Sequence, residues 1–243
     1  MSRLDQLLVS RGLFRSREQA RRAVMAGIVK VRGQVVDKPG TRVDESVAVE
    51  VSDAREPFVS RGGRKLAAAL DHFAIDPHGM VCLDVGASTG GFTDCLLQRG
   101  ASRVYALDVG RGQLDYGLRC DPRVVVMEGV NVRYLEPEAI PESCGLITFD
   151  VSFISLLKVV PAVLPFLADA GHVLALIKPQ FEVGRGKVGK GGIVRDEDLR
   201  RRIIERRCDD LTSLGLRQVG IVDSQVAGAK GNREAFALFR SKT

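Results

Sequence analysis

From Met80 onward the sequence alternates short apolar runs with helical patterns, and that alternation leaves few folds open. The runs are Val81–Val85, Arg103–Leu107, Val124–Met127, Leu146–Phe149 and Val173–Ile177. They are too short for helices and mostly unbroken by polar residues, so they read as strands buried on both faces. Helical stretches between parallel strands give right-handed crossovers, which predicts a doubly wound α/β sheet. In such a sheet ligands bind at the carboxyl ends of the strands. Of 243 residues 45% are hydrophobic, enough to bury a core of this kind.

Residues 1–58 follow a different pattern and form a separate small domain with its linker, and residues 59–243 carry the sheet. Leu4, Leu7 and Leu8 mark a short helix that stops at Gly12. Ser16 and Gln19 have capping-box spacing, and Ala20, Ala23 and Val24 continue a second helix to Gly27. Ile28–Val31, Val35–Val36 and Val47–Val51 have strand character, making this domain α+β. Pro57 biases its predecessor away from helix and marks the linker.

Charge is concentrated in this small domain. Residues 1–42 hold ten Lys or Arg against three acids, a balance of +7, whereas the whole chain is only +6. Such a concentration favours a polyanion partner over a merely solvated face. The candidate RNA contacts here are Arg3, Arg11, Arg15, Arg17, Arg21, Arg22 and Lys30, of which Arg17, Arg21 and Arg22 lie off the apolar stripe of the second helix. With Arg3-Leu4-Asp5, Ser16-Arg17 and Ala26–Gly33, the first 50 or so residues resemble the S4 RNA-binding domain.

The strongest local signal in the larger domain is Leu83–Phe92, a strand that ends in Gly86-Ala87-Ser88-Thr89-Gly90-Gly91-Phe92 and opens a helix. Small residues let the backbone approach a ligand, and the first βα loop is where nucleotide-like cofactors bind. Asp108 ends the second strand 22 residues after Gly86, where a carboxylate can accept hydrogen bonds from adenosine ribose hydroxyls. Asn131, after the third strand, is a candidate for the adenine side or an ordinary turn residue. The loop lacks the G-x-G-x-x-G order of dinucleotide enzymes and a cation for pyrophosphate, which favours S-adenosyl-L-methionine.

Gly184–Gly191 nearly matches a phosphate-binding loop, but Gly191 replaces the hydroxyl that would hold Mg²⁺. It reads better as a basic lid with RNA-facing Arg185, Lys187 and Lys190. The five cysteines have no paired spacing, so neither a metal site nor a disulfide framework is expected. The N-terminus has no apolar signal core, and the most hydrophobic stretch, residues 154–177, is broken by Lys158, Asp169 and His172; a cytoplasmic protein without a membrane span is expected.

The strand ends narrow the reaction. The fourth strand runs into Asp150-Val151-Ser152-Phe153 without the Pro-Pro-aromatic segment of base-amine methylation, and no cysteine stands where C5 methylation needs one. Asp150 and Lys178 follow the fourth and fifth strands, Lys65 precedes the sheet, and Glu234 lies near the end. Two lysines and two carboxylates suit transfer to a weakly acidic hydroxyl, with one lysine as base and the carboxylates positioning both. With Val59–Gly63, Gly86–Phe92, Asp108-Val109-Gly110, Asp150–Ser155, Lys178–Glu182 and Gly231–Glu234 in one chain, the sequence resembles the TlyA family of ribosomal RNA 2′-O-methyltransferases, an S4 domain joined to an FtsJ-like, Rossmann-like methyltransferase domain. That resemblance implies S-adenosyl-L-methionine as cofactor, a cytidine of ribosomal RNA as acceptor, ribosomal RNA or subunits as partner, and Lys65, Asp150, Lys178 and Glu234 as the catalytic set. Because longer members continue past the point where this chain stops, action restricted to the large subunit is expected. The family is also labelled haemolysin, so a membrane-active protein is the alternative from another class, and an RNA-binding module with an inactive methyltransferase domain is a third.

Overall fold

The structure, a computed structural model, describes residues 2–14, 16–25, 27–51, 57–183, 192–228 and 231–241. Contacts divide the chain into two compact units, Met1–Pro57 and Phe58–Thr243. Arg15 and the segment with Arg185, Lys187 and Lys190 lie outside the described residues.

The first unit runs β1 (Ser2–Arg3), α1 (Leu4–Ser10), α2 (Arg17–Met25), β2 (Val29–Val31), β3 (Gln34–Val35), β4 (Arg42–Val43) and β5 (Val49–Val51). Its apolar stripe buries Leu4, Leu7 and Leu8 of α1 against Ala20, Ala23 and Val24 of α2, with Val29 of β2 beneath. Ser16 Oγ accepts the Gln19 N–H at 3.2 Å, the capping bond that the spacing implies. β2 pairs with β3 and β5, while β1 pairs with β4; these last two strands have two residues each, too few to show any period.

The second unit opens with α3 (Arg61–Phe73) and continues β6 (Val81–Val85), α4 (Gly91–Gln98), β7 (Arg103–Asp108), α5 (Tyr116–Arg119), β8 (Val124–Glu128), β9 (Cys144–Phe149), α6 (Val160–Val163), β10 (Leu167–Ile177), α7 (Pro179–Glu182), α8 (Glu197–Ser213), β11 (Leu216–Asp223) and β12 (Ala235–Ser241). The sheet order is β11-β12-β10-β9-β6-β7-β8. β12 is antiparallel to both neighbours and the rest run parallel. Strand side chains alternate between two cores: Leu83, Val85, Val173, Ala175 and Phe239 face α8, whereas Cys82, Leu174, Leu176 and Phe236 face α3 and α4. The five strands expected from the sequence are present. β11 and β12 are additional, and their hairpin carries the one antiparallel strand.

Phe58 belongs to the second unit. Its ring covers Gly63 so closely that a Cβ there would fall 2.2 Å from Cγ, which fixes the start of α3.

Candidate active site

The site lies at the carboxyl ends of β6, β7, β9 and β10. Gly86 follows β6 with φ +90°, and a Cβ at this position would stand 2.8 Å from the carbonyl oxygen of Asp150. Glycine is therefore needed twice over, for the left-handed backbone and for the contact between two strand ends. At the opening of α4 a Cβ on Gly91 would meet Ser60 Oγ at 2.2 Å, so the first turns of α3 and α4 touch only because this residue has no side chain.

Two cavities flank this seam. The larger, about 480 Å³, is walled by Gly86, Ser88, Asp108, Gln113, Asn131, Asp150, Ser152 and Phe153. The smaller, about 240 Å³, is walled by Ser60, Arg61, Lys65, Gly86, Thr89, Phe92, Asp150 and Gly228. Gly86, Ser88 and Asp150 line both. Of the expected cofactor loop, Ala87 and Gly91 also face the smaller cavity, while Gly90 is packed beneath against Leu114 and Leu118.

Asp108 accepts the N–H of Ser88 at 2.8 Å and that of Gly110 at 2.7 Å, one on each oxygen. A carboxylate has about four lone-pair sites, so both oxygens keep acceptor capacity toward the cavity. Asn131 caps the turn Val132–Tyr134 through its side-chain oxygen, bonded to the Arg133 N–H at 3.2 Å, while also lining the larger cavity. Its side chain thus serves the turn and borders the cavity. Glu128, at the end of β8, gathers the N–H groups of Gly112, Gln113 and Leu114 at 2.8 to 3.1 Å. Arg119 and these amides hold its carboxyl down to about 2, and they fix the loop that places Gln113.

The four charged residues resolve into two ion pairs. Lys178 Nζ stands 2.6 Å from Asp150 Oδ1 and donates to Ser152 Oγ at 2.9 Å. Lys65, on the second turn of α3, donates to Glu234 Oε2 at 2.6 Å. Gln180 Nε2 reaches the other Glu234 oxygen at 3.3 Å. Lys178 and Glu234 are nearly buried, and the charges feel one another. Burial raises the Asp150 pKa, Lys178 and Lys65 oppose that rise, and Glu234 adds to it. Beneath them Asp84 is fully buried, accepting from Thr93 Oγ1 at 2.7 Å and Thr148 Oγ1 at 3.2 Å. Burial, with the Asp150 charge nearby, outweighs those bonds and pushes its carboxyl up to about 7.

Ser152, Gln180, Gln113, Glu128 and Asp84 had no role in the sequence reading. Ser152 and Gln180 stand two residues after Asp150 and Lys178, so only their neighbourhood pointed to them. Asp84, within the run Leu83–Val85, had the plainer signal of a charge inside a strand buried on both faces.

In the first unit, Arg3 and Arg17 flank the fully buried Asp5, each with Nε 3.0 Å from a carboxylate oxygen. The Arg3 bond, helped by Arg17, lowers the Asp5 pKa despite burial. Arg11 bonds the carbonyls of Val47 and Glu45, and Arg22 pairs with Glu18. Arg21 is exposed and Lys30 is half-buried on β2.

This geometry agrees with the comparisons. The model of the FtsJ-like methyltransferase family matches residues 58–241, and that of the S4 domain matches residues 2–49. The chain belongs to the FtsJ-like methyltransferase family. It is 47% identical over all its 243 residues, and over 91% of the relative, to the 16S/23S rRNA (cytidine-2′-O)-methyltransferase TlyA of Mycobacterium tuberculosis. It is 42% identical to the protein named Hemolysin A of Brachyspira hyodysenteriae, covering 98% of this chain and 99% of that one. A solved structure of a candidate hemolysin from Streptococcus thermophilus aligns with TM-score 0.78 at 42% identity, covering 99% of this chain and 88% of the other. As an FtsJ-like methyltransferase the enzyme uses S-adenosylmethionine, and its residues fit that cofactor. The larger cavity lies within the roughly 300–1,000 Å³ of small-molecule sites. Asp108 offers acceptors to a ribose, and Gly86 lines both cavities. The S4 unit supplies an RNA-binding surface. Among the described residues no helix is long and apolar enough to cross a membrane.

Proposed function

We propose that this chain methylates the ribose 2′-hydroxyl of a cytidine in ribosomal RNA, with Lys65, Asp150, Lys178 and Glu234 as its catalytic set. The observation that carries this reading is the meeting of the two ion pairs at the seam between the cavities. Cofactor contacts fall to the loop Gly86–Phe92, in which Gly90 packs beneath as support, and to Asp108 and Asn131, RNA contacts to the basic residues of the first unit. The name of the Mycobacterium tuberculosis relative supports the acceptor. Four of the cysteines are buried, and Cys120, the exposed one, lines neither cavity, which speaks against a cysteine-dependent transfer to a base carbon.

S-adenosylmethionine supplies a methyl group already activated as a sulfonium, so the protein's task is alignment and removal of one proton. A neutral lysine has two N–H groups and one lone pair. Lys178 Nζ is oriented by its 2.6 Å ion-pair contact with Asp150 Oδ1 and its hydrogen bond to Ser152 Oγ; once it has given up a proton, its lone pair would take the 2′-hydroxyl proton while the methyl group leaves the sulfonium sulfur. Asp150 compensates the ammonium that forms. Lys65, oriented by Glu234 and Gln180, holds the acceptor oxygen from the smaller cavity.

Lys178→Ala should cut turnover by roughly 10² to 10⁴ with little change in cofactor affinity, the range for loss of a general base. Labelled methyl transfer to purified small and large ribosomal subunits locates the acceptor. RNA with one 2′-deoxy nucleotide at that position should then accept no methyl group; continued methylation would move the acceptor to the base and overturn the proposal.

A further inference from the structure

Buried charges that this chemistry leaves unused lie just behind Lys178. Glu182 closes α7 with its side chain 2% exposed. One carboxylate oxygen accepts the Leu156 N–H at 2.9 Å, and the other stands 2.9 Å from Nη2 of Arg207 on α8. Arg207 is also buried, and its Nη1 reaches Asp210 at 2.9 Å. Buried ions persist where partners replace the lost hydration. Here those partners tie three separate segments together.

Which segments they are decides what the clamp does. Leu156 ends the loop that Asp150 begins, and Glu182 follows Lys178 by four residues. The loops after β9 and β10 therefore touch twice, once at Asp150 and Ser152 with Lys178, and again at Leu156 with Glu182. Between those points Phe153 has φ +64°, a conformation that an aromatic residue rarely adopts, so contacts rather than local preference hold the loop's path. We infer that Glu182, fixed by Arg207, is a positioning residue that holds the Asp150–Ser152 segment against Lys178. This rests on the proposed role of Lys178. It requires no particular acceptor.

The test compares Glu182→Ala, which removes the Leu156 hydrogen bond and the Arg207 ion pair, with Glu182→Gln, whose amide oxygen still accepts from Leu156. In the full chain, with ribosomal subunits and S-adenosylmethionine, Glu182→Ala should lose about tenfold to a hundredfold in kcat, the scale of a small misplacement, with KM for the cofactor within about twofold. Glu182→Gln should recover most of the loss. The second readout is the titration of the Asp150 carboxyl by ¹³C NMR, assigned through Asp150→Asn. Burial opposes the charged carboxylate and so does Glu234, whereas Lys178 and Lys65 favour it. Both substitutions remove the same Glu182 charge, and only alanine also loosens the Lys178 contact, the stronger favourable partner, so Asp150 should titrate at higher pH in Glu182→Ala than in Glu182→Gln. Fewer folded molecules would shrink the signal without moving its midpoint. Equal midpoints in Glu182→Ala and Glu182→Gln overturn the inference whatever happens to activity, whereas wild-type protein that transfers no methyl group to either subunit overturns the proposed function alone.

Discussion

Replacing Gly86 by alanine tests whether the seam between the cavities is built as tightly as it must be. The residue has φ +90°, and the added Cβ would lie 2.8 Å from the Asp150 oxygen and 3.0 Å from its carbonyl carbon. The left-handed backbone alone costs about 1–2 kcal/mol for a residue with a Cβ. Moving the Asp150 carbonyl adds about 1–3 kcal/mol, the usual cost of overpacking. Gly215 is the matched control: its φ is +93°, and a Cβ there would meet nothing within 4 Å. At about 2–4 °C per kcal/mol for a unit of this size, Gly215→Ala should lower Tm by roughly 2–8 °C and Gly86→Ala by roughly 4–20 °C. Calorimetry measures both, and isothermal titration with S-adenosylmethionine measures the second consequence. Gly86→Ala should bind the cofactor at least about tenfold more weakly because the displaced carbonyl belongs to the residue shared by both cavities, where small misplacements are costly. Gly215→Ala should bind normally. Equal Tm losses together with wild-type affinity in Gly86→Ala would refute the reasoning.

Arg21→Ala should weaken RNA binding and reduce the salt slope of log K by about 1 while leaving Tm nearly unchanged, because Arg21 is exposed on α2. Arg17→Ala should instead destabilise the first unit, since it strips one of two guanidinium partners from the buried Asp5; melting curves beside filter binding separate the two effects. Asp84 should make stability fall as pH rises. Unfolded it ionises near 3.8, folded near 7, so between those values the unfolded chain binds fewer protons and gains relative to the native state. In urea titrations from pH 4 to pH 8, Asp84→Asn should flatten that decline, and an unchanged slope would show that Asp84 is not its source.

The alternation of apolar runs and helices was enough to specify a parallel α/β sheet, because strands covered on both faces leave an unbroken apolar record. The small-residue loop at Gly86–Phe92 was equally legible, since close backbone approach demands residue types that little else demands. The basic first unit could be read from composition, but its arginines could not be sorted. The same side chain serves Asp5 from Arg3 and Arg17 and faces solvent from Arg21, and only packing around a buried carboxylate tells them apart.

The four charged residues of the site show the division most clearly. The sequence identified Lys65, Asp150, Lys178 and Glu234 as chemically suited to act together, yet it contained no information on which lysine takes which carboxylate. Lys65 and Glu234 are 169 positions apart, and no local period relates them. Their pairing follows from β12, the hairpin strand absent from the sequence reading. β12 inserts antiparallel between β10 and β11, with Ala235 opposite Ile177. The beginning of an antiparallel strand lies beside the ends of its parallel neighbours, so Glu234 arrives at the edge where Asp150 and Lys178 emerge. Sequence supplied the charges. Strand direction, a property of the assembled sheet alone, put the last of them in place.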